Sequence, residues 1–320
     1  ALLAEIMPTR HRGWALVLVG GLGSGGGYLA ASGFAAALQP VWSWRVLWLL
    51  NLPTGLLLLL MGRFIPESAK FLLARGRRAE ARAVMQRFGT TSHRHGEEEE
   101  DVDFAPIHLD HSHPTAGIWS PGIRGTTTAL TSLALGWGLV NFGLLLWLPT
   151  WFVERGLPMA SASQVIAQSA LIAFPTIFVA SLIYSRWSTK YSLLAVTGVT
   201  VLGLLGVIAM PAGASGMEVV APLAVLIVGT NGLLAVLLPY AAESYPLGIR
   251  GRATGWIAAC TKAGGLAAQS LSIAALVPSM ATVGLAVAVP LVIGLALTLR
   301  YCRETRGIDL RMLEAAPPRR

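Results

Sequence analysis

Charge is what this sequence has least of. Asp, Glu, Lys and Arg make up 12% of its 320 residues, while hydrophobic residues make up 54%. An ordinary soluble domain carries about twice that share of charge. A soluble fold of this length could bury a core, but it would need a charged coat that is missing here. With a mean hydropathy of +0.62, the chain fits a bilayer as solvent. Cysteine is scarce as well. Cys260 and Cys302 fall in or at the end of apolar segments, so neither a disulfide framework nor a metal-ligand spacing follows. No G-x-x-x-x-G-K-[ST] loop is present, which argues against ATP as the energy source. The first residues carry no basic n-region or cleavage site. They run from Ala1 straight into Glu5 and read as a cut through the end of a helix. The net charge of +8 does not indicate nucleic acid, because the basic residues form no single stripe interleaved with aromatics.

What is present is a series of apolar runs. Eight are long enough to span a bilayer at about 1.5 Å per residue. They lie near 14–36, 46–62, 128–152, 163–184, 192–212, 219–241, 253–276 and 281–300. Several contain Pro or many Gly, which neighbouring helices accommodate in a membrane. The run from Trp14 to Ala36 holds seven glycines, a face suited to close helix contact. The expected fold is therefore an all-α integral membrane bundle with about eight visible spans.

The basic residues give the orientation. If 1–13 is inside and the sides alternate, the inside segments hold 21 of the 24 Lys and Arg. The outside holds only Arg45 and Arg155, and Lys262 lies within a span. This asymmetry sets the topology by the positive-inside rule and places the C-terminus in the cytoplasm. It also supports the count of spans, since one missed helix would scramble the alternation.

The sequence repeats itself. Ala4-Glu5-Ile6-Met7-Pro8-Thr9-Arg10-His11-Arg12-Gly13 and Ala242-Glu243-Ser244-Tyr245-Pro246-Leu247-Gly248-Ile249-Arg250-Gly251 share A-E-x-x-P-x-x-x-R-G at an offset of 238. The same offset carries Gly26-Gly27 onto Gly264-Gly265, and at 237 Glu67-Ser68 meets Glu304-Thr305. Register held this long implies two homologous halves. By the same offset, roughly 110 residues, close to four helices, are expected to precede Ala1 and complete a twelve-helix protein built from two parallel repeats. The expected division is 1–62 as the remainder of an N-terminal lobe, 63–127 as a cytoplasmic loop, 128–300 as a six-helix C-terminal lobe and 301–320 as a cytoplasmic tail.

These motifs, with Pro66-Glu67-Ser68 after the second span and Glu304-Thr305-Arg306-Gly307 after the last, resemble the major facilitator superfamily. The branch they are most similar to is that of sugar porters and metabolite:proton symporters. The resemblance covers the whole chain, as helices five to twelve with the tail of four. It implies alternating access, proton coupling, no cofactor, a monomer in the plasma (inner) membrane, and a cytoplasmic latch. Glu5 and Glu243 end their helices, Arg12 and Arg250 start the next, and Arg186, Glu67 and Glu304 stand at the same edge. Arg186 is expected to reach Glu243. The bland alternative is that these charges only mark helix ends. One departure concerns the loop Ser185-Arg186-Trp187-Ser188-Thr189-Lys190, where Ser185 stands in place of the family's Asp.

Lys262 lies about ten residues, roughly 15 Å, into a helix starting near Arg252, too deep for easy snorkelling. Its counter-charge is an anionic substrate, a carboxylate in the preceding helices, or nothing if the amine is neutral. Asn141 and Asn231 lie at similar depth. Trp137 shares a face with Asn141, and Gln164 with Gln168. Together they make a candidate binding ring, although each amide alone could simply join two helices.

The inside loop divides in two. Residues 67–88 have the composition of a surface helix. Residues 90–125 carry His93, His95, His108, His111 and His113 among Glu97 to Glu100, Asp101, Asp103 and Asp110. They lack the apolar residues that would fix a metal geometry, so a disordered linker is expected rather than a metal site. A membrane-embedded enzyme is the rival class, but Glu154 and Glu218 stand isolated on the outside face without a His. A solute sensor on the same fold is the third reading.

Overall fold

The computed structural model describes residues 9–43, 45–62, 64, 66–67, 69, 72, 76–87, 117–154, 159–211, 214, 216–273 and 280–306. Glu5 and residues 90–116 of the expected linker over 90–125 lie outside the described residues; its last residues form turns that lead into a helix starting at Arg124. Among these residues the regular structure is entirely helical. In chain order the helices are α1 (Thr9–Gly21), α2 (Gly27–Trp42), α3 (Arg45–Leu49), α4 (Asn51–Gly62), α5 (Arg78–Arg87), α6 (Arg124–Leu139), α7 (Leu145–Glu154), α8 (Met159–Ala173), α9 (Thr176–Arg186), α10 (Thr189–Ile208), α11 (Met217–Ser244), α12 (Leu247–Ile273) and α13 (Met280–Tyr301). A π turn at Leu22–Gly26 joins α1 to α2, and another at Val140–Leu144 joins α6 to α7.

Among the described residues, seven helical stretches are long and apolar enough to cross a membrane. They fall on seven of the eight expected runs. The eighth, expected over 253–276, is α12. Its 27 residues reach about 40 Å at 1.5 Å each, which is ample length. It is set apart by its polar content, with Thr261, Lys262 and Gln269 along its course. The run at 46–62 divides into α3 and α4 at a turn on Leu50, and no residue of α4 is buried. Of the expected surface helix over 67–88, α5 is the longest described stretch. Its entry is held by an Arg77–Glu80 ion pair at 2.6 Å.

Small residues determine how the spans cross. A Cβ on Gly203 would lie 2.4 Å from the Leu226 backbone nitrogen, and one on Gly229 would lie 2.4 Å from that of Thr200. Helices α10 and α11 therefore touch backbone to backbone, the mode small residues permit in lipid. Helix α6 meets α12 in the same way. A Cβ on Gly138 would stand 2.1 Å from the Thr261 carbonyl oxygen, and one on Gly264 would stand 2.3 Å from that of Leu135. Helix α6 also packs on α13, where the Ser132 hydroxyl donates to the Pro290 carbonyl at 2.8 Å. Buried Thr197, Thr230 and Thr298 turn their hydroxyls to the carbonyl one turn back. That is how a hydroxyl is satisfied without water. Helix α1 packs against α9 and α11, and α2 packs against α8.

Candidate functional site

The centre of the α6–α7 stretch is shaped by its π turn. Such a turn displaces carbonyls from the regular ladder and often marks functional positions. The displaced Phe142 carbonyl accepts from the Gln269 side-chain amide of α12. Just before the turn, Trp137 is buried, and its indole Nε1 donates to the Thr230 carbonyl of α11 at 2.8 Å. Its ring meets Phe142 edge-on, with centroids 5.6 Å apart. Lys262 completes the group. Its side chain is exposed, and Nζ stands 4.6 Å from the Phe142 ring centroid. A cation over an aromatic face gains roughly 0.5–1 kcal/mol where solvated and about 2 where dry. Among the described residues no carboxylate pairs with Lys262.

Trp137 and Lys262 thus come together through Phe142, which sequence reasoning missed. Asn231 is buried beside Thr230, and its Nδ2 would lie 3.6 Å from a Cβ on Gly25 in the first π turn. Asn141 is half-buried in the second π turn. Gln164 and Gln168 are exposed on α8, and among the described residues no hydrogen bond joins them to this group. Gln269 lies seven residues after Lys262, so helical periodicity could have flagged it.

A second polar cluster sits at the helix ends on the side expected to be cytoplasmic. Glu243, at the end of α11, is buried. Its Oε2 accepts from the Tyr184 hydroxyl at 2.7 Å and from the Thr305 hydroxyl at 3.0 Å. Arg186, its expected partner, lies exposed at the end of α9 and is not among these donors. The hydroxyls of Thr305 and Thr189 are 2.8 Å apart. Thr189 donates its own N–H and hydroxyl to Glu304, and Ser188 adds another hydroxyl. Thr189 is the first residue of α10 and Ser188 is its N-cap. The Glu304 carboxylate therefore sits on a helix N-terminus, where the free N–H groups and the dipole favour an anion. The backbone N–H groups of Thr305 and Arg306 turn toward it as well. Burial alone would raise the Glu304 pKa, but these donors outweigh burial and hold it at about 2. Arg250 donates Nε to the Tyr245 carbonyl at 3.2 Å, bracing the turn into α12. Arg12 stands in the first turn of α1, and Glu67 is exposed beyond α4.

The hydroxyl donors to Glu243 and Glu304 lie more than fifty residues away along the chain. Hydroxyls and a helix end thus hold a carboxylate from the tail.

Comparison with known proteins agrees with this architecture. The niacin transporter NiaP of Acinetobacter baylyi is 24% identical over 272 residues, covering 83% of this chain and 60% of that protein. The inner membrane metabolite transport protein YgcS of Escherichia coli is 27% identical over 318 residues, covering 97% of this chain and 67% of that one. The chain thus spans about two thirds or less of the length of these relatives. Among solved structures, the proton:xylose symporter XylE bound to 6-bromo-6-deoxy-D-glucose superimposes with a TM-score of 0.71 at 18% identity, over 98% of this chain and 69% of XylE. A double-Trp XylE mutant gives 0.65 at 19% identity. The profile of the Major Facilitator Superfamily matches residues 1–269, and the chain belongs to that family of integral membrane transporters.

Proposed function

We propose that this protein is a secondary active transporter of a small organic anion, an aromatic carboxylate in particular, working by alternating access with proton coupling. The observation that carries the reading is Lys262, a cation at mid-span, stacked on Phe142 beside Trp137 and without a carboxylate partner among the described residues. A cation that deep needs a cavity or a counter-charge. An aromatic carboxylate supplies a counter-charge for the ammonium and a ring for Phe142. One similar protein is named a niacin transporter, and niacin has that chemistry. XylE is named a proton:xylose symporter, which supports coupling to protons.

Two six-helix lobes would rock around the midplane group, exposing it to one side at a time. The Glu243 and Glu304 clusters, with Glu5, Arg12, Arg186, Arg250 and Glu67, would close the inner side. The protein would act as a monomer in the plasma membrane, with its C-terminus in the cytoplasm. The test is uptake and counterflow by the full-length gene product in liposomes, over a panel of aromatic acids and sugars. Acids but not sugars should exchange, and Lys262→Gln should weaken acid binding about tenfold or more. Unchanged acid affinity in Lys262→Gln removes the anion reading. Exchange of sugars alone favours a neutral substrate. Binding without exchange makes the protein a sensor.

A further inference from the structure

A cavity of about 300 Å³ opens between α1 and α9. It is separate from the midplane group. The N-terminal end of α1 and the C-terminal end of α9 lie side by side here, so the cavity sits at one membrane edge. Its walls include Trp14, Leu18, Phe178, Leu182, Ser185 and Arg186. The inward faces of the same helices are taken: Ile177 is buried and would clash with a Cβ on Gly21, and Tyr184 is fully buried beside Gly13. Among the described residues, the outward faces are not. Phe178 and Leu182 are each 50% exposed although they lie within a span. Arg186 ends the helix and is exposed. The nearby serines are directed to backbone, with Ser181 donating to the Trp14 carbonyl at 2.8 Å and Ser185 to the Leu182 carbonyl at 3.1 Å.

We propose that this cleft binds the headgroup and upper acyl chains of one anionic glycerophospholipid of the inner leaflet. The arrangement is amphipathic along the membrane normal, with a guanidinium at the rim, an indole just below it and aliphatic and phenyl surface deeper. A soluble anion would use Arg186 and leave Phe178 and Leu182 without a role. A neutral lipid would use the apolar wall and leave the guanidinium without a counter-charge. A phosphodiester with acyl chains uses both, and Arg holds phosphate bidentately. Trp14 lies at the depth where indoles favour the headgroup boundary. With the basic residues inside, the rim faces the leaflet that carries anionic lipid. That last clause rests on the orientation read from the sequence; the lipid preference itself does not depend on transport.

The experiment uses the full-length protein in nanodiscs of phosphatidylcholine. These are doped at equal mole fraction with dibrominated phosphatidylglycerol or dibrominated phosphatidylcholine. Bromine on the acyl chains quenches nearby indoles, and subtracting a Trp14→Phe variant isolates Trp14 from the other tryptophans. Both leaflets carry the same lipid, so the outcome is independent of orientation and of substrate. The Trp14 signal should be quenched at roughly fivefold lower mole fraction of the phosphatidylglycerol, the value of one interfacial cation. Arg186→Gln should abolish the preference, and Arg186→Lys should keep most of it. Equal quenching by the two lipids in wild type overturns the proposal, as does a preference that survives in Arg186→Gln.

Discussion

Replacing Glu304 with Gln tests the clearest electrostatic device in the fold. The carboxylate accepts from the hydroxyls of Ser188 and Thr189 and from the Thr189 N–H, at the first turn of α10. In the unfolded chain it would titrate near 4.5, and in the fold it is held at about 2. At 1.36 kcal/mol for each decade the ceiling is about 3 kcal/mol. Glu304 is only partly buried at a membrane edge, and solvent screening brings the figure to about 1–2 kcal/mol. Because the folded pKa is depressed, this stability is present in full above pH 4.5. It is lost as pH falls from 4.5 towards 2. Glu304→Gln should therefore melt a few degrees lower at pH 7, and the two proteins should converge as pH approaches 3. Intrinsic tryptophan fluorescence in detergent reads this across the whole pH range, since the chain carries ten Trp. Identical melting of the two proteins at pH 7 would refute the reasoning. So would a mutant that keeps the full wild-type loss of stability between pH 5 and 3.

Four further outcomes follow from the geometry. Tyr184→Phe and Thr305→Val each remove a donor to buried Glu243 and should cost about 1.5–3 kcal/mol by thermal unfolding; their double mutant should be clearly non-additive. Gly138→Ala drives a methyl into the Thr261 carbonyl and should reduce monodisperse protein on size-exclusion chromatography, whereas Gly255→Ala, with nothing within 4 Å of the new Cβ, should elute as wild type. Trp137→Phe loses the bond to the Thr230 carbonyl and should lower the melting midpoint by the equivalent of about 1 kcal/mol. Single cysteines placed at 95 and 312 in a background lacking Cys260 and Cys302 should label from the same side of the membrane; labelling from opposite sides would break the alternation of spans and with it the topology.

The spans were legible because lipid demands long apolar helices, and hydropathy reports that demand directly. The bundle's tight crossings were partly legible: Gly264 emerged from the internal repeat and proves to touch α6. Lys262 and Trp137 stood out because a charge or an indole at mid-span is costly without a partner. Phe142 did not, since a phenyl ring in an apolar run is unremarkable until a π turn directs it at an ammonium. The hydroxyl donors to Glu243 and Glu304 were also invisible. Serine and threonine satisfy their own backbone so readily in lipid that nothing in a sequence distinguishes those reaching across to another helix. Arg186 is the opposite case: opposite charge and a shared membrane edge suggested a pairing with Glu243, but among the described residues Arg186 is exposed and lines the cleft between α1 and α9.

The seam where Gly138 meets Thr261 and Gly264 meets Leu135 has no side chains between its two backbones. Rotamer changes cannot let such a joint slip, so α6 and α12 travel as a single plank with Lys262 fixed to its side. Between α1 and α9 the contact is made by side chains instead: Ile177 lies against Gly21 and Gly25, Tyr184 beside Gly13, and Ser181 donates to the Trp14 carbonyl. The two seams therefore differ in kind: one joins backbone to backbone and carries Lys262, the other interlocks side chains.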